Sequence, residues 1–143
     1  MPGRVFVDTN IWLYALVQRD IASVDERHRQ AVDFLGNLSV PVINSQVIRE
    51  ACSNLLKKCR FPEERIQRLI QAWYLECEVH PSNASQHLLA SQLRSRHHLS
   101  YWDSLIVAAA IDAGCTRLYS EDMQHGMVFD DNLSIINPFA SKA

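Results

Sequence analysis

Four carboxylates, Asp8, Glu50, Asp103 and Asp122, occupy positions where a soluble α/β domain has little structural use for an acid. Asp8 ends the apolar run Val5-Phe6-Val7, and Asp122 follows Leu118-Tyr119 by three positions. Glu50 and Asp103 interrupt helical stretches that otherwise read as apolar. Carboxylates are almost never fully buried unless paired or bound to metal. Four of them converging would repel one another strongly, and a divalent cation is the usual remedy. Hard carboxylate oxygens suit Mg²⁺, which keeps several of its waters.

Each acid also has a plainer reading. Asp8, Thr9 and Asn10 are all good helix caps. Ser100-Tyr-Trp-Asp103 fits the capping-box pattern of a hydroxyl followed three residues later by an acid. Glu50 can pair with Arg49 or Lys57, Asp122 can serve a turn, and Glu121 beside it can be the active acid instead. Caps explain the acids one at a time; they do not explain four at one place.

The elements that must position them alternate along the chain. Arg4 to Val7, Pro41 to Ile43, Cys77 to His80, Thr116 to Tyr119 and Leu133 to Ile136 read as short strands. Between them, Ser23 with Glu26 opens a helix carrying Val24, Ala31, Leu35 and Leu38 at helical spacing. Asn44 or Ser45 caps the next, with Val47, Ile48, Ala51 and Leu55 on one face. Pro62, Glu63 and Glu64 form a first-turn signature for a helix to about Tyr74. Ser82 starts a helix through about Arg96, and Ser100 opens a nearly all-apolar one ending at Gly114. Short apolar strands separated by helices predict a mainly parallel sheet covered on both faces. Asp8 and Asp122 then fall at the carboxyl ends of strands, where open α/β sheets bind ligands. Asp103 falls in a helix first turn, whose dipole favours an anion by ~0.3–1 kcal/mol.

At 143 residues, 48% of them hydrophobic and 21% charged, the chain reads as one folded domain spanning 1–143. Its longest apolar run, Leu105 to Ile111, is far short of the ~20 residues a membrane span needs. Met-Pro-Gly-Arg leads directly into a strand and leaves no room for a signal peptide, so a cytoplasmic protein is expected. Cys52, Cys59, Cys77 and Cys115 show no zinc spacing; Cys52 and Cys59 lie about 10 Å apart along one helix, too far for a disulfide. The net charge of −2 gives no basic surplus for nucleic acid, but Lys57, Lys58 and Arg60, and Arg94, Arg96, His97 and His98, form two basic clusters. Either can be a solvated helix end or a phosphate contact. Of Trp12, Trp73 and Trp102, Trp102 is expected in the core.

The segments Val-Asp8-Thr9-Asn10, Arg49-Glu50, Trp102-Asp103-Ser104 and Tyr-Ser120-Glu121-Asp122-Met-Gln-His-Gly126, in that order, resemble the PIN domain, and within it the VapC toxins of type II toxin–antitoxin operons. Ile-Asn-Pro-Phe near the C-terminus is similar to that branch as well. The resemblance implies a three-layer α/β/α sandwich and endoribonuclease activity dependent on Mg²⁺, with Mn²⁺ as a substitute. It implies Asp8, Glu50, Asp103 and Asp122 as the catalytic and metal-binding set. Asn10, Ser104 and Ser120 follow as neighbours of that set or of the scissile phosphate. An RNA substrate, a small antitoxin whose basic side chain enters the acidic pocket, and a homodimer are also implied. Gln124 stands where many members carry a further acid, which weakens the expectation of a second tightly held metal.

Competing readings fit less well. A haloacid-dehalogenase-type phosphoryl transferase needs an acid where Asn10 stands. A receiver domain needs a late lysine, and after Lys58 only Lys142 remains. The four glycines form neither a dinucleotide fingerprint nor a P-loop. A non-enzymatic alternative is a PIN-like scaffold, catalytically weak, that acts through metal and protein-partner binding.

Overall fold

The computed structural model describes residues 3–18 and 26–140. Ser23 and Val24, and with them the expected capping box at Ser23, lie outside the described residues. In chain order the elements are β1 (Arg4–Val7), α1 (Thr9–Leu16), α2 (Glu26–Gly36), β2 (Val42–Asn44), α3 (Ser45–Lys57), α4 (Glu63–Glu76), β3 (Glu78–His80), α5 (Ala84–Arg96), α6 (Tyr101–Asp112), β4 (Cys115–Tyr119), β5 (Val128–Phe129) and β6 (Leu133–Ile136). The strands form one sheet in the order β3-β2-β1-β4-β6-β5. Every pairing is parallel except that of β5 with β6.

Strand alternation divides the core. Phe6, Leu118 and Ile135 stand side by side across β1, β4 and β6 and are fully buried. They join the larger core with Val47 and Ala51 of α3, Trp73 of α4, Ala90 and Leu93 of α5, and Ile106 and Val107 of α6. The next row, Val7, Tyr119 and Ile136, points the other way and packs with Ile11 of α1 and Ala31 and Phe34 of α2. The result is the expected three-layer α/β/α sandwich around a mainly parallel sheet.

Local chemistry sets the boundaries. Asn44 caps α3 by accepting from the Val47 amide at 3.1 Å, and Asn83, rather than Ser82, caps α5 through the Gln86 amide at 3.0 Å. Ser100 caps α6, accepting from the Asp103 amide at 3.1 Å. Gly114, at φ 73°, ends that helix in the left-handed region glycine tolerates best. Two elements escaped the sequence pattern. The α1 helix appears there only as the capping alternative for Asp8, and β5 is a two-residue strand joined to β6 through Asp130 and Asp131, both at positive φ.

Trp102 corrects an expectation. It is 62% exposed, whereas Trp73, at 2%, is the core tryptophan and meets Trp12 edge to face at 6.0 Å. Helix α6 is apolar nearly all round, so its sequence gives no preferred face, and its first turn stands clear of the residues that bury Ile106 to Ala110.

Candidate active site

Parallel strands all end at the same edge, so β1 and β4 deliver Asp8 and Ser120 side by side. Asp8 leaves β1 as the cap of α1: its Oδ1 accepts from the Thr9 amide at 2.8 Å. Its own amide donates to Tyr119 O at 3.0 Å. The hydroxyl of Ser120, itself fully buried, donates to Asp8 Oδ2 at 2.9 Å. The cap reading of Asp8 therefore leaves its second oxygen to another partner: Oδ1 caps α1, and Oδ2 is held by Ser120.

Glu50 is on the exposed side of α3, one turn in, and two donors hold it there. Thr9 Oγ1 donates to Oε2 at 3.2 Å, and Gln46 Nε2 donates to Oε1 at 2.8 Å. Neither donor belongs to the predicted set. Gln46 was readable, because residues four apart on a helix meet; the Thr9 contact spans 41 residues and was not. The same Gln46 Nε2 donates to the carbonyl of Trp102 at 3.2 Å, tying α3 to the start of α6. Asp122, on the loop after β4, receives Asn10 Nδ2 at 2.5 Å.

Electrostatics bring the four acids together. Burial raises the Asp8 carboxyl to about 6; Thr9 and Ser120 oppose that rise, and the charges of Glu50 and Asp103 add to it. Asp103 is also raised, first by burial and then by Glu50, with the Ser100 hydroxyl opposing. Partial burial raises Asp122, and Asp103 and Glu121 raise it further. Asp8, Asp103 and Asp122 thus each feel at least one other acid, a pattern typical of functional sites rather than of chance surface charge. Burial itself is narrower than the sequence suggested. Asp8 is buried at 8% exposure, Asp103 is half-buried, and Glu50 and Asp122 are exposed.

Two residues lie apart from the group. Ser104 is fully buried; it donates to Tyr101 O at 2.6 Å and accepts from Arg94 Nη1 at 2.8 Å, which locks α5 to α6. Glu121 turns toward α1 and α2, where Tyr14 Oη donates to it at 2.7 Å and Arg27 pairs with it at 3.2 Å. Of the adjacent acids, Asp122 is the one left facing the site.

Among the described residues, no three His, Cys, Asp or Glu side chains are gathered closely enough to enclose a metal ion. The donor chemistry nevertheless fits a hard divalent cation. The set offers carboxylate oxygens, and among the described residues no lysine or arginine is bonded to any of the four.

The PIN domain family matches residues 5–126. No curated protein matches the chain. Among solved structures the fold is similar to Mycobacterium tuberculosis VapC20, a toxin that cleaves the sarcin–ricin loop, with 22% identity, a TM-score of 0.66, and 82% of this chain and 89% of that one covered. It is similar as well to a chain of a toxin–antitoxin complex from Klebsiella pneumoniae, with 17% identity, a TM-score of 0.71, and 96% and 98% covered. The acid-bearing segments all fall within the matched span, and the chain belongs to the PIN domain family.

Proposed function

We propose that this chain is a Mg²⁺- or Mn²⁺-dependent endoribonuclease, the toxin of a toxin–antitoxin pair. One observation carries the reading: Asp8, Asp103 and Asp122, from β1, α6 and the loop after β4, are each raised by burial and by a neighbouring acid, with the Glu50 charge on α3 acting on the first two. Asp8, Asp103 and Asp122 would hold the cation, with Glu50 close by. Bound there, it would lower the pKa of a coordinated water and neutralise charge building on the phosphate.

The chain's own residues have separate tasks. Ser120 and Thr9 fix the two oxygens of Asp8, and Asn10 fixes Asp122. Glu50, steadied by Thr9 and Gln46, is placed to take a proton from the attacking water. Attack by water on phosphorus forms one P–O bond and breaks the bond to the 3′ oxygen, leaving 5′-phosphate and 3′-hydroxyl ends. A metal-free route through the 2′-hydroxyl needs a histidine pair. His97 packs edge to face on Phe129 at 5.0 Å, away from that task.

The family supports a cytoplasmic setting, an antitoxin whose basic side chain enters the acidic edge, and a homodimer. No helix among the described residues is long and apolar enough to cross a membrane. That no three His, Cys, Asp or Glu side chains among the described residues are gathered into a metal-holding group favours a second reading, a weakly catalytic scaffold acting through metal and protein partners. Mapping RNA 5′ ends after induction in cells, for wild type and Asp8→Asn, separates the two. A recurring cut that the variant lacks supports the nuclease; equal cutting by both, or Mn²⁺ binding with no cut, overturns it.

A further inference from the structure

A groove of about 820 Å³ opens from the acidic edge between α3, α5 and α6, with Glu50, Arg49, Asn54, His87 and Trp102 among its walls. Trp102 is 62% exposed, directly precedes Asp103, and meets Tyr101 edge to face at 5.1 Å. It is also braced. Arg94 lies over the Tyr101 ring at 4.9 Å while bonding Ser104, and Gln46 holds the Trp102 carbonyl and Glu50 at once. Arg49 is exposed and has no hydrogen-bond or ion-pair partner among the described residues.

A large apolar ring on the surface is a loss unless something covers it, and a fixed ring loses little freedom when covered. An unpaired arginine in the same groove calls for an anion. Aromatic platform, cation and amide-lined wall are what single-stranded RNA needs, because a base stacks on a ring only when it is splayed out of a duplex.

We propose that this groove binds the strand next to the scissile phosphate as single-stranded RNA, one base stacked on Trp102 and a flanking phosphate on Arg49. The inference rests on the nuclease reading and sharpens it: Trp102 and Arg49 would place the nucleotide beside the cut. Trp102 is then a positioning and specificity residue, not part of the acid set.

The test compares Trp102→Ala, Trp102→Phe and Arg49→Ala. Binding is measured in the Asp8→Asn background with a short mixed-sequence single-stranded RNA and with the same RNA annealed to its complement. Trp102→Ala is expected to weaken single-strand binding by roughly 10-fold. Trp102→Phe should keep most of the affinity, and the weaker duplex binding should not change. Arg49→Ala should flatten the salt dependence. With Asp8 intact, Trp102→Ala should raise KM more than it lowers kcat, while its melting temperature stays that of wild type. Unchanged single-strand affinity, or equal losses on duplex, overturns the proposal. So does a change of oligomeric state with RNA binding intact, which would make the face a protein interface. If wild type cuts RNA and Trp102→Ala cuts it with the same KM, the groove falls and the nuclease stands. If wild type binds RNA through Trp102 but never cuts it, the groove stands and the nuclease falls.

Discussion

Asp8 and Asp112 are the same side chain put to opposite uses. Three donors converge on Asp112 Oδ2, from His80 at 2.7 Å, Gln86 at 2.9 Å and Asn83 at 3.1 Å, and they hold the carboxyl below its ordinary range, the His80 bond foremost. At Asp8, burial and the neighbouring acids outweigh two donors and hold the carboxyl up near 6. The first region satisfies its anion within the chain and ties β3 and α5 to the end of α6. The second keeps an anion that the chain does not satisfy, and a stable fold gains nothing from that. Unmet charge therefore separates the acids of the proposed site from the structural ones better than burial does, since Asp122 is raised although exposed.

The largest expected effect breaks the comparison at Asp8. Asp8→Asn keeps the size and the cap to Thr9 but removes the charge. Its Mg²⁺-dependent RNA cleavage should fall by more than about 100-fold, beyond the range that losing an outer partner of a metal ligand costs. Cleavage within tenfold of wild type would remove Asp8 from the metal set.

The same substitution should act in the other direction on stability. A carboxyl at about 6 in the fold and 3.8 when free binds its proton more tightly in the folded chain. The contribution of Asp8 to metal-free stability is therefore greatest below pH 4, is lost as pH rises through 6, and is lower by about 3 kcal/mol at neutral pH. Urea unfolding in EDTA at acid and neutral pH should show that slope in wild type and a flatter one in Asp8→Asn. Excess Mg²⁺ should restore wild type selectively. A variant no more stable than wild type at neutral pH without metal would mean that Asp8 carries no unmet charge.

How much of this was legible in the sequence follows the range of each interaction. Asp8 and Asp103 could be placed because strand ends and helix starts are local signals. The choice between Glu121 and Asp122 could not be made, since it depends on Tyr14 and Arg27 reaching across from α1 and α2. Ser104 was expected near the site from the resemblance of Trp102-Asp103-Ser104 to the family. One step along a helix turns a side chain by about 100°, and that turn buries it against Arg94. Trp102 went wrong for the converse reason: an all-apolar helix has no periodicity to say which turn projects into solvent.

Ser120→Ala sharpens the comparison without removing an acid. It deletes the buried hydroxyl that holds Asp8 Oδ2. Because that hydroxyl lowers the carboxyl against the pull of burial, its loss should raise the Asp8 pKa further. Cleavage should fall roughly 10-fold at neutral pH, at the low end for an outer partner, and recover in part as pH rises. A loss that is the same at every pH would make Ser120 a packing residue instead.

The smallest effect belongs to the other half of the comparison. Asp112→Asn removes a charge whose three partners are all in the chain, so RNA cleavage should be unchanged and only the fold should register it. The His80 pair is partly exposed, at 19% and 29% for the two side chains, so solvent screens it and the cost should be about 0.2–1 kcal/mol. Its pH dependence runs opposite to that of Asp8. A carboxyl held low in the fold contributes stability above its ordinary value and loses it as the pH falls through the folded pKa. Acid titration of unfolding should thus show Asp8→Asn and Asp112→Asn with slopes of opposite sign relative to wild type. Slopes of the same sign would mean that the two carboxylates are not distinguished by their surroundings, and the charge argument for the active edge would lose its internal control.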